Sequence, residues 1–298
     1  MSDYNEWEQR HHAEDWILYP DNVGSHLCLD EIALTDGELY TVLTNAKSRC
    51  QKGSLVAMVK GIKSEDVCRV LNQIPETRRI AVKEVSVDMA NSMEKIARTS
   101  FPLASIVTDR FHVAQLISEA VQQIRIKFRW MAIEKENQAI KDAKKSKEKY
   151  SAKTFENGDS EKQLLARSRY LLFKPSTKWT NSQKARADIL FREFPEIGKA
   201  YELSMSFRNI YEKPIKTEQA KEEFLKWTEK VKQYNFDSFI TASNSIENHQ
   251  ETILNFFTNR TTNALAESFN SKIKSFRAIF RGVKDVAFFL FRVSMIFA

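Results

Sequence analysis

The feature that most limits what this chain can become is a change of period near residue 112. Before it, short apolar runs alternate with helical stretches. After it, apolar residues recur every three or four positions for most of the remaining length. "LCLDEIAL", "LYTVLTN" and "SLVAMVKG" read as strands, and Asp36-Gly37 between the first two predicts a tight hairpin turn. "SEDVCRVLNQI" follows as a helix with Ser64 as its cap. "AVKEVSVD" is a β-branched strand, "NSMEKIARTSF" a helix with Asn91 as candidate cap, and "ASIVTD" a further strand. Three strands in a meander, then helix, strand, helix and strand, predict an α/β fold with a mixed sheet covered by helices.

From His112 the pattern is different. Val113, Leu116, Ile117, Ala120, Val121, Ile124 and Phe128 mark one face of a long amphipathic helix, which runs into the lysine-rich "KDAKKSKEKYSAK", read as a solvated face or flexible segment. More helices are expected at about 182–194, from Pro195, after Thr217 and over "FDSFITASNSIENHQETILNFF". The last two, split at Gly282, close the chain. Seven glycines and six prolines in 298 residues favour helices over loops and sandwiches. The tail "VAFFLFRVSMIFA" is shorter than a membrane span and carries Arg292, so it is expected to be a buried core helix. The division this implies is an N-terminal extension (1–26), the first part of a sheet core (27–112), an all-helical insertion (113–258) and a completing segment (259–298).

Hydrophobic residues make up 42% and charged residues 29%, a globular composition, and the net charge of +7 gives a mild bias towards a polyanionic partner. Cys28, Cys50 and Cys68 lack CxxC spacing, which fits a reducing, cytoplasmic setting and neither a disulfide framework nor a zinc knuckle. The polar, acidic start reads as having no signal peptide. His11 and His12 are a possible metal pair, but a frayed, solvated terminus is the expected reading.

Three acids stand out. Asp30 interrupts a strand, where an unpartnered carboxylate is costly and calls for a cation, while Glu31 points to the opposite face. Asp88 ends a strand, where α/β sheets place functional groups. Glu267 heads a helix otherwise rich in Lys and Arg. Such a set would bind Mg²⁺ or Mn²⁺ rather than zinc, and two ions roughly 3.5–4 Å apart can drive phosphodiester chemistry. No P-loop or dinucleotide glycine motif is present. Taken singly, the acids have ordinary explanations: a salt-bridged strand acid, a helix cap and a first-turn helix charge.

Longer blocks carry more. "LCLDEIAL", "VSVDMANSM", "FPLASIVTDRFHVAQL" and "TNALAESFNSKIKSFRAIFRGVKDVAFFLFRV", from about Leu27 to the C-terminus, resemble in content and order the DDE-type bacterial insertion-sequence transposases of the ISL-three group. The resemblance implies an RNase H-like core interrupted by a helical insertion, with metal-dependent cleavage of element ends and joining of the 3′-hydroxyl to target DNA. Asp30 and Glu267 match the first and third acids. Asp88 is the preferred second, with Asp109 the alternative. Asp109 and His112 would otherwise form an Asp-x-x-His element behind the site or against DNA. Arg110, Asn270, Lys272, Lys274, Arg277 and Arg281 are the expected DNA contacts, Lys274 and Arg277 above all, since a phosphate backbone must be accommodated. Asn263 reads as a cap.

The resemblance also implies a nucleoid-associated, oligomeric protein. The zinc-binding or helix-turn-helix region usual before the first acid is not visible here, so end recognition is expected from a separate or missing module. A nuclease without strand transfer, and a non-catalytic DNA-binding relic or inhibitor, are the alternatives.

Overall fold

The computed structural model describes residues 2–34, 38–260, 264–280 and 285–298, and leaves the side chains of Ser2 and of residues 264–267 undescribed. The expected turn at Asp36-Gly37, the Asn263 cap and the break at Gly282 lie outside the described residues.

Six strands form one sheet: β1 (Trp16–Leu18), β2 (His26–Ala33), β3 (Leu39–Asn45), β4 (Leu55–Lys60), β5 (Glu84–Val87) and β6 (Ser105–Thr108), in the order β1-β4-β3-β2-β5-β6. The meander β2-β3-β4 is antiparallel, β1 adds antiparallel to β4, and β5 and β6 run parallel to β2. Leaving β1 aside, that is the strand order of an RNase H-like sheet.

The helices are α1 (Ser2–Asn5), α2 (Ser64–Leu71), α3 (Glu76–Arg79), α4 (Asn91–Ser100), α5 (Arg110–Lys145), α6 (Glu161–Arg167), α7 (Asn181–Glu193), α8 (Pro195–Glu212), α9 (Thr217–Tyr234), α10 (Asp237–Asn248), α11 (Gln250–Asn259), α12 (Ala264–Ile279) and α13 (Val286–Phe297). The chain divides into two compact units, one of residues 1–112 and 249–298, the other of residues 113–248.

In the first unit, strand alternation sorts the core into two layers. Leu27, Leu29, Val85, Val87 and Ile106 pack with Val67 and Leu71 of α2 and with Met93, Ile96 and Ala97 of α4. On the opposite face, Ile32, Tyr40 and Val42 pack with Phe269 and Ile273 of α12 and with Phe289, Leu290 and Val293 of α13. All four residues of β5 are buried, as a strand covered on both faces should be. α13 is the expected core helix, and no described helix is long and apolar enough to cross a membrane.

Two local expectations are corrected. Ser64 is the first helical residue of α2, behind Lys63 as N-cap, and Asn91 likewise follows Ala90. The N-terminus is not frayed. Tyr4 and Trp7 pack against the α13 core, His12 stacks on Trp16 at 3.6 Å, and its Nδ1 lies 2.9 Å from the Trp16 carbonyl. Aromatic residues at positions 4 and 7 supply the apolar area that a polar average conceals.

The second unit is helical throughout. The Phe207 and Trp227 rings meet edge to face at 4.8 Å, and the Trp227 indole donates to the Leu203 carbonyl at 2.9 Å, tying α8 to α9. Asp159 is fully buried beside α6. It accepts from Arg167 of that helix and from Arg186 of α7 at 3.1 Å.

Candidate active site

β2 carries Asp30 on the α12 face because its neighbours two residues away, Cys28 and Ile32, are buried there and strand side chains alternate. Glu31 is exposed, as alternation predicts. The parallel register pairs Cys28 with Ser86 and Val87 with Thr108, so two residues on, Asp30 stands level with Asp88, and Asp88 with Asp109. The Asp109 N–H donates to the Val87 carbonyl at 2.8 Å and continues the ladder. Three carboxylates therefore sit in a row across three adjacent parallel strands, Asp30 within β2 and Asp88 and Asp109 just past the ends of β5 and β6, spaced by about 4.8 Å per strand. Asp88 is one strand from Asp30, and Asp109 is two.

Each acid is held differently. Asp30 accepts from the Glu31 N–H at 2.8 Å through Oδ1, and from the Asn270 amide at 2.7 Å through Oδ2. Asp88 accepts from the Ala90 N–H at 2.8 Å, a local turn that leads the chain into α4, so it has a structural duty as well. Asp109, 5% exposed, accepts from the Phe111 N–H at 3.1 Å, and its Oδ2 lies 3.9 Å from His112 Nε2. His112 is half-buried, its ring edge-to-face with that of the exposed Phe111.

Burial raises the Asp30 carboxyl to about 6, with Asp88 and then Asp109 adding like-charge repulsion; the Glu31 N–H and His112 oppose the rise. The same surroundings push the Cys28 thiol up to about 12, burial first and then Asp109 and Asp30, which leaves it protonated and unreactive.

α12 crosses the same face. Asn270, expected among the DNA contacts, instead grips Asp30, a connection visible only in three dimensions. Lys272 donates to the Cys50 carbonyl at 3.1 Å. Arg277 is 8% exposed with its guanidinium 4.9 Å from the Phe289 ring, so the structure places it in the interior and not on the surface a strand would touch. Lys274 is exposed one turn beyond Asn270. Arg110 is half-buried at the start of α5. Glu267 belongs to α12, three residues before Asn270, but its side chain lies outside the described residues, as does the whole of Arg281.

Among the described residues, no three His, Cys, Asp or Glu side chains close into a cation site on their own. The donor chemistry nevertheless suits a hard divalent ion: carboxylate oxygens only, with repulsion among them that a cation would relieve.

Polar residues of α11 escaped the sequence reading. Asn255 donates to the Ile106 carbonyl at 2.8 Å, Thr252 and Thr108 share a hydrogen bond of 2.7 Å, and Asn259 holds the buried Glu84 at 3.1 Å. Asn255 and Thr252 fasten β6, the strand that leads into Asp109, and Asn259 fastens β5. Spacing of three and four among polar residues was the available signal, and apolar periodicity does not register it.

Residues 27–293 match the profile of the ISL-three family of DDE transposases, described as "Transposase". The transposase for insertion sequence element IS1001 of Bordetella parapertussis is 22% identical over 276 residues, 91% of this chain and 61% of its own. The chain thus spans about three fifths of that relative's length. No solved structure matches.

Proposed function

Given that the chain belongs to the ISL-three family of DDE transposases, we propose that it cleaves DNA at element ends with the help of divalent metal and joins the freed 3′-hydroxyl to target DNA. The observation that supports this best is the row of Asp30, Asp88 and Asp109 across adjacent parallel strands, crossed by the helix that bears Asn270 and Glu267. Asp30, Asp88 and Glu267 are the residues that would hold Mg²⁺ or Mn²⁺. Direct adjacency of β5 to β2 favours Asp88 over Asp109 as the second acid.

When bound, the cation supplies charge neutralisation for the phosphodiester and an activated oxygen nucleophile. The chain's own groups do the positioning. Asn270 fixes one carboxylate oxygen of Asp30 and the Glu31 N–H fixes the other, so the carboxylate enters the reaction in one orientation. Asp109 and His112 back the row from the next strand and from the start of α5. Lys274, exposed on the Asn270 side of α12, contacts the strand's phosphates. Assembly of paired ends by two or more copies, and recognition of the end sequence by a separate module, complete the proposal.

The test is cleavage and joining of a labelled element end in Mg²⁺ by wild type, Asp30→Asn and Glu267→Gln. Loss of both activities in both variants supports the reading. Equal activity in all three proteins refutes it, and cleavage without joined product would make the chain a nuclease. Tight sequence-specific binding of the end by this chain alone would refute the separate module.

A further inference from the structure

One stretch of α5 in the second unit carries an unusual arginine. Four of that unit's arginines face acids: Arg167 and Arg186 meet Asp159, Arg192 meets Glu156 and Arg208 meets Glu212. Arg125 of α5 does not. It is 4% exposed, and its guanidinium is met by neutral oxygens, Gln122 Oε1 at 2.7 Å and the Leu165 carbonyl at 2.9 Å. The Gln122 amide in turn donates to the Arg169 carbonyl at 3.1 Å, which brings the segment after α6 against this stretch of α5.

Arg129, one turn along α5, and Arg169 add positive charge around Arg125. Burial first, then these two, pushes the Arg125 guanidinium down to about 10. Among the described residues, neither Arg129 nor Arg169 makes an ion pair.

Exposed apolar side chains lie on the same segments. Ile126 and Trp130, on the same side of α5 as Arg129, are 40% and 61% exposed. Tyr170 is 66% exposed, with the Arg169 guanidinium 5.5 Å from its ring centre. Three crowded guanidiniums repel one another, and a buried one lacking a counter-charge is held at a cost that an incoming anion removes. Exposed rings beside unpaired arginines suit a ligand that offers phosphates and flat faces together.

We propose that Arg129 and Arg169, with Trp130 and Tyr170, form a contact surface for single-stranded DNA, the phosphates lying on these two arginines over the buried charge of Arg125 and an unpaired base on a ring. The proposal takes DNA as partner from the proposed function but needs neither the acids nor a metal ion. Because phosphates and ring faces carry little sequence information, the surface is tolerant of sequence. It therefore does not replace a module that reads element ends.

The experiment is fluorescence anisotropy of the full chain in EDTA, with a labelled single strand and its duplex over a salt series. Wild type binds the single strand more tightly. Arg129→Ala/Arg169→Ala, both surface changes, lowers affinity at least about tenfold at low salt and flattens the log–log salt slope by about 1.4, roughly 0.7 per lost phosphate contact. Arg129→Lys/Arg169→Lys keeps most of the slope. Trp130→Ala weakens the single strand about tenfold and the duplex within about twofold.

An unchanged slope in the double alanine variant, with its circular dichroism intact, overturns the proposal. So does an acidic peptide of equal length bound as tightly as the oligonucleotide, or equal loss on both DNA forms in Trp130→Ala. Cleavage is read separately with divalent metal, so a failure here leaves the proposed function standing, and lost cleavage with intact binding leaves this surface standing.

Discussion

Two carboxylates, one in each unit, show how a fold treats an acid it needs for structure and one it keeps for something else. Asp159 is completely buried, yet both its oxygens are engaged: Arg167 on one, Arg186 at 3.1 Å and Asn157 at 3.0 Å on the other. Asp30 is also desolvated, but among the described residues its side-chain hydrogen-bond partner, Asn270, is neutral, and its charged surroundings include two more carboxylates. A core that only needed a polar anchor would have matched Asp30 with a cation, as it matched Asp159. The second unit shows the reverse at Arg125, a buried cation among cations. Unsatisfied charge of opposite sign in the two units is what a protein that binds metal ions and a polyanion would be expected to show.

The comparison breaks most visibly in activity. Asp30→Asn keeps the shape and a hydrogen-bonding amide but removes the charge, and is expected to lower metal-dependent end cleavage on the order of 10³-fold or more. Asp88→Asn should match it, whereas Asp109→Asn, two strands away, should cost only about 10- to 100-fold as a supporting residue. Quantified cleavage products across the three variants decide the order, and a larger loss in Asp109→Asn than in Asp88→Asn would exchange their roles. The counterpart in the second unit is a stability measurement. Asp159→Asn strips Arg186 and Arg167 of their anion and should cost about 3 kcal/mol in chemical unfolding, while Asp30→Asn should cost nothing.

Much of the sheet was legible because strand and helix periods differ and the chain keeps each to its own region. The strands β2 to β6 followed from the apolar runs, whereas the short edge strand β1 lay in a stretch read as polar and the order of the sheet is set by tertiary pairing. The positions of Asp30 and Asp88 followed from where those runs break or end. What the sequence could not carry were contacts set by tertiary register. Asn270 on Asp30, Arg277 turned inward over Phe289, and the polar residues of α11 on β6 all join residues far apart in the chain. A basic residue on an amphipathic helix reads as solvent-facing by default, and Arg277 shows how cation–π contact with a core ring defeats that default. The Asp159 cluster also left no trace in periodicity, since its partners come from a loop and two helices.

The pH dependence of stability sharpens the contrast. Because the folded-state carboxyl of Asp30 lies near 6 and the unfolded one near 3.8, the native state holds a proton between those values that the unfolded chain has released. Stability conferred by that proton is present below about 4 and lost as pH rises towards 6. Without divalent metal, Asp30→Asn should therefore unfold like wild type near pH 4 and be more stable by about 1–3 kcal/mol above pH 6. Added Mg²⁺ should raise the wild-type Tm and leave that of Asp30→Asn unchanged. A variant gain that is flat across pH 4–7 would mean that Asp30 is not desolvated as described.

The smallest expected effect tests whether Asn270 positions Asp30 or merely bridges two elements. Its 2.7 Å hydrogen bond goes to an oxygen that is charged above pH 6 and protonated below. Removing a donor from a carboxylate disfavours the charged form more than the neutral one. Asn270→Ala should thus cost about 1–1.5 kcal/mol at pH 7.5 and less near pH 4.5, and should move the midpoint of the Asp30-dependent stability change upward from about 6. A bridge between β2 and α12 with no bearing on charge would give the same loss at both pH values and leave the midpoint in place. If the midpoint does shift, cleavage by Asn270→Ala should recover partly as pH is raised, because a higher pH restores the ionised carboxylate that the amide had been stabilising.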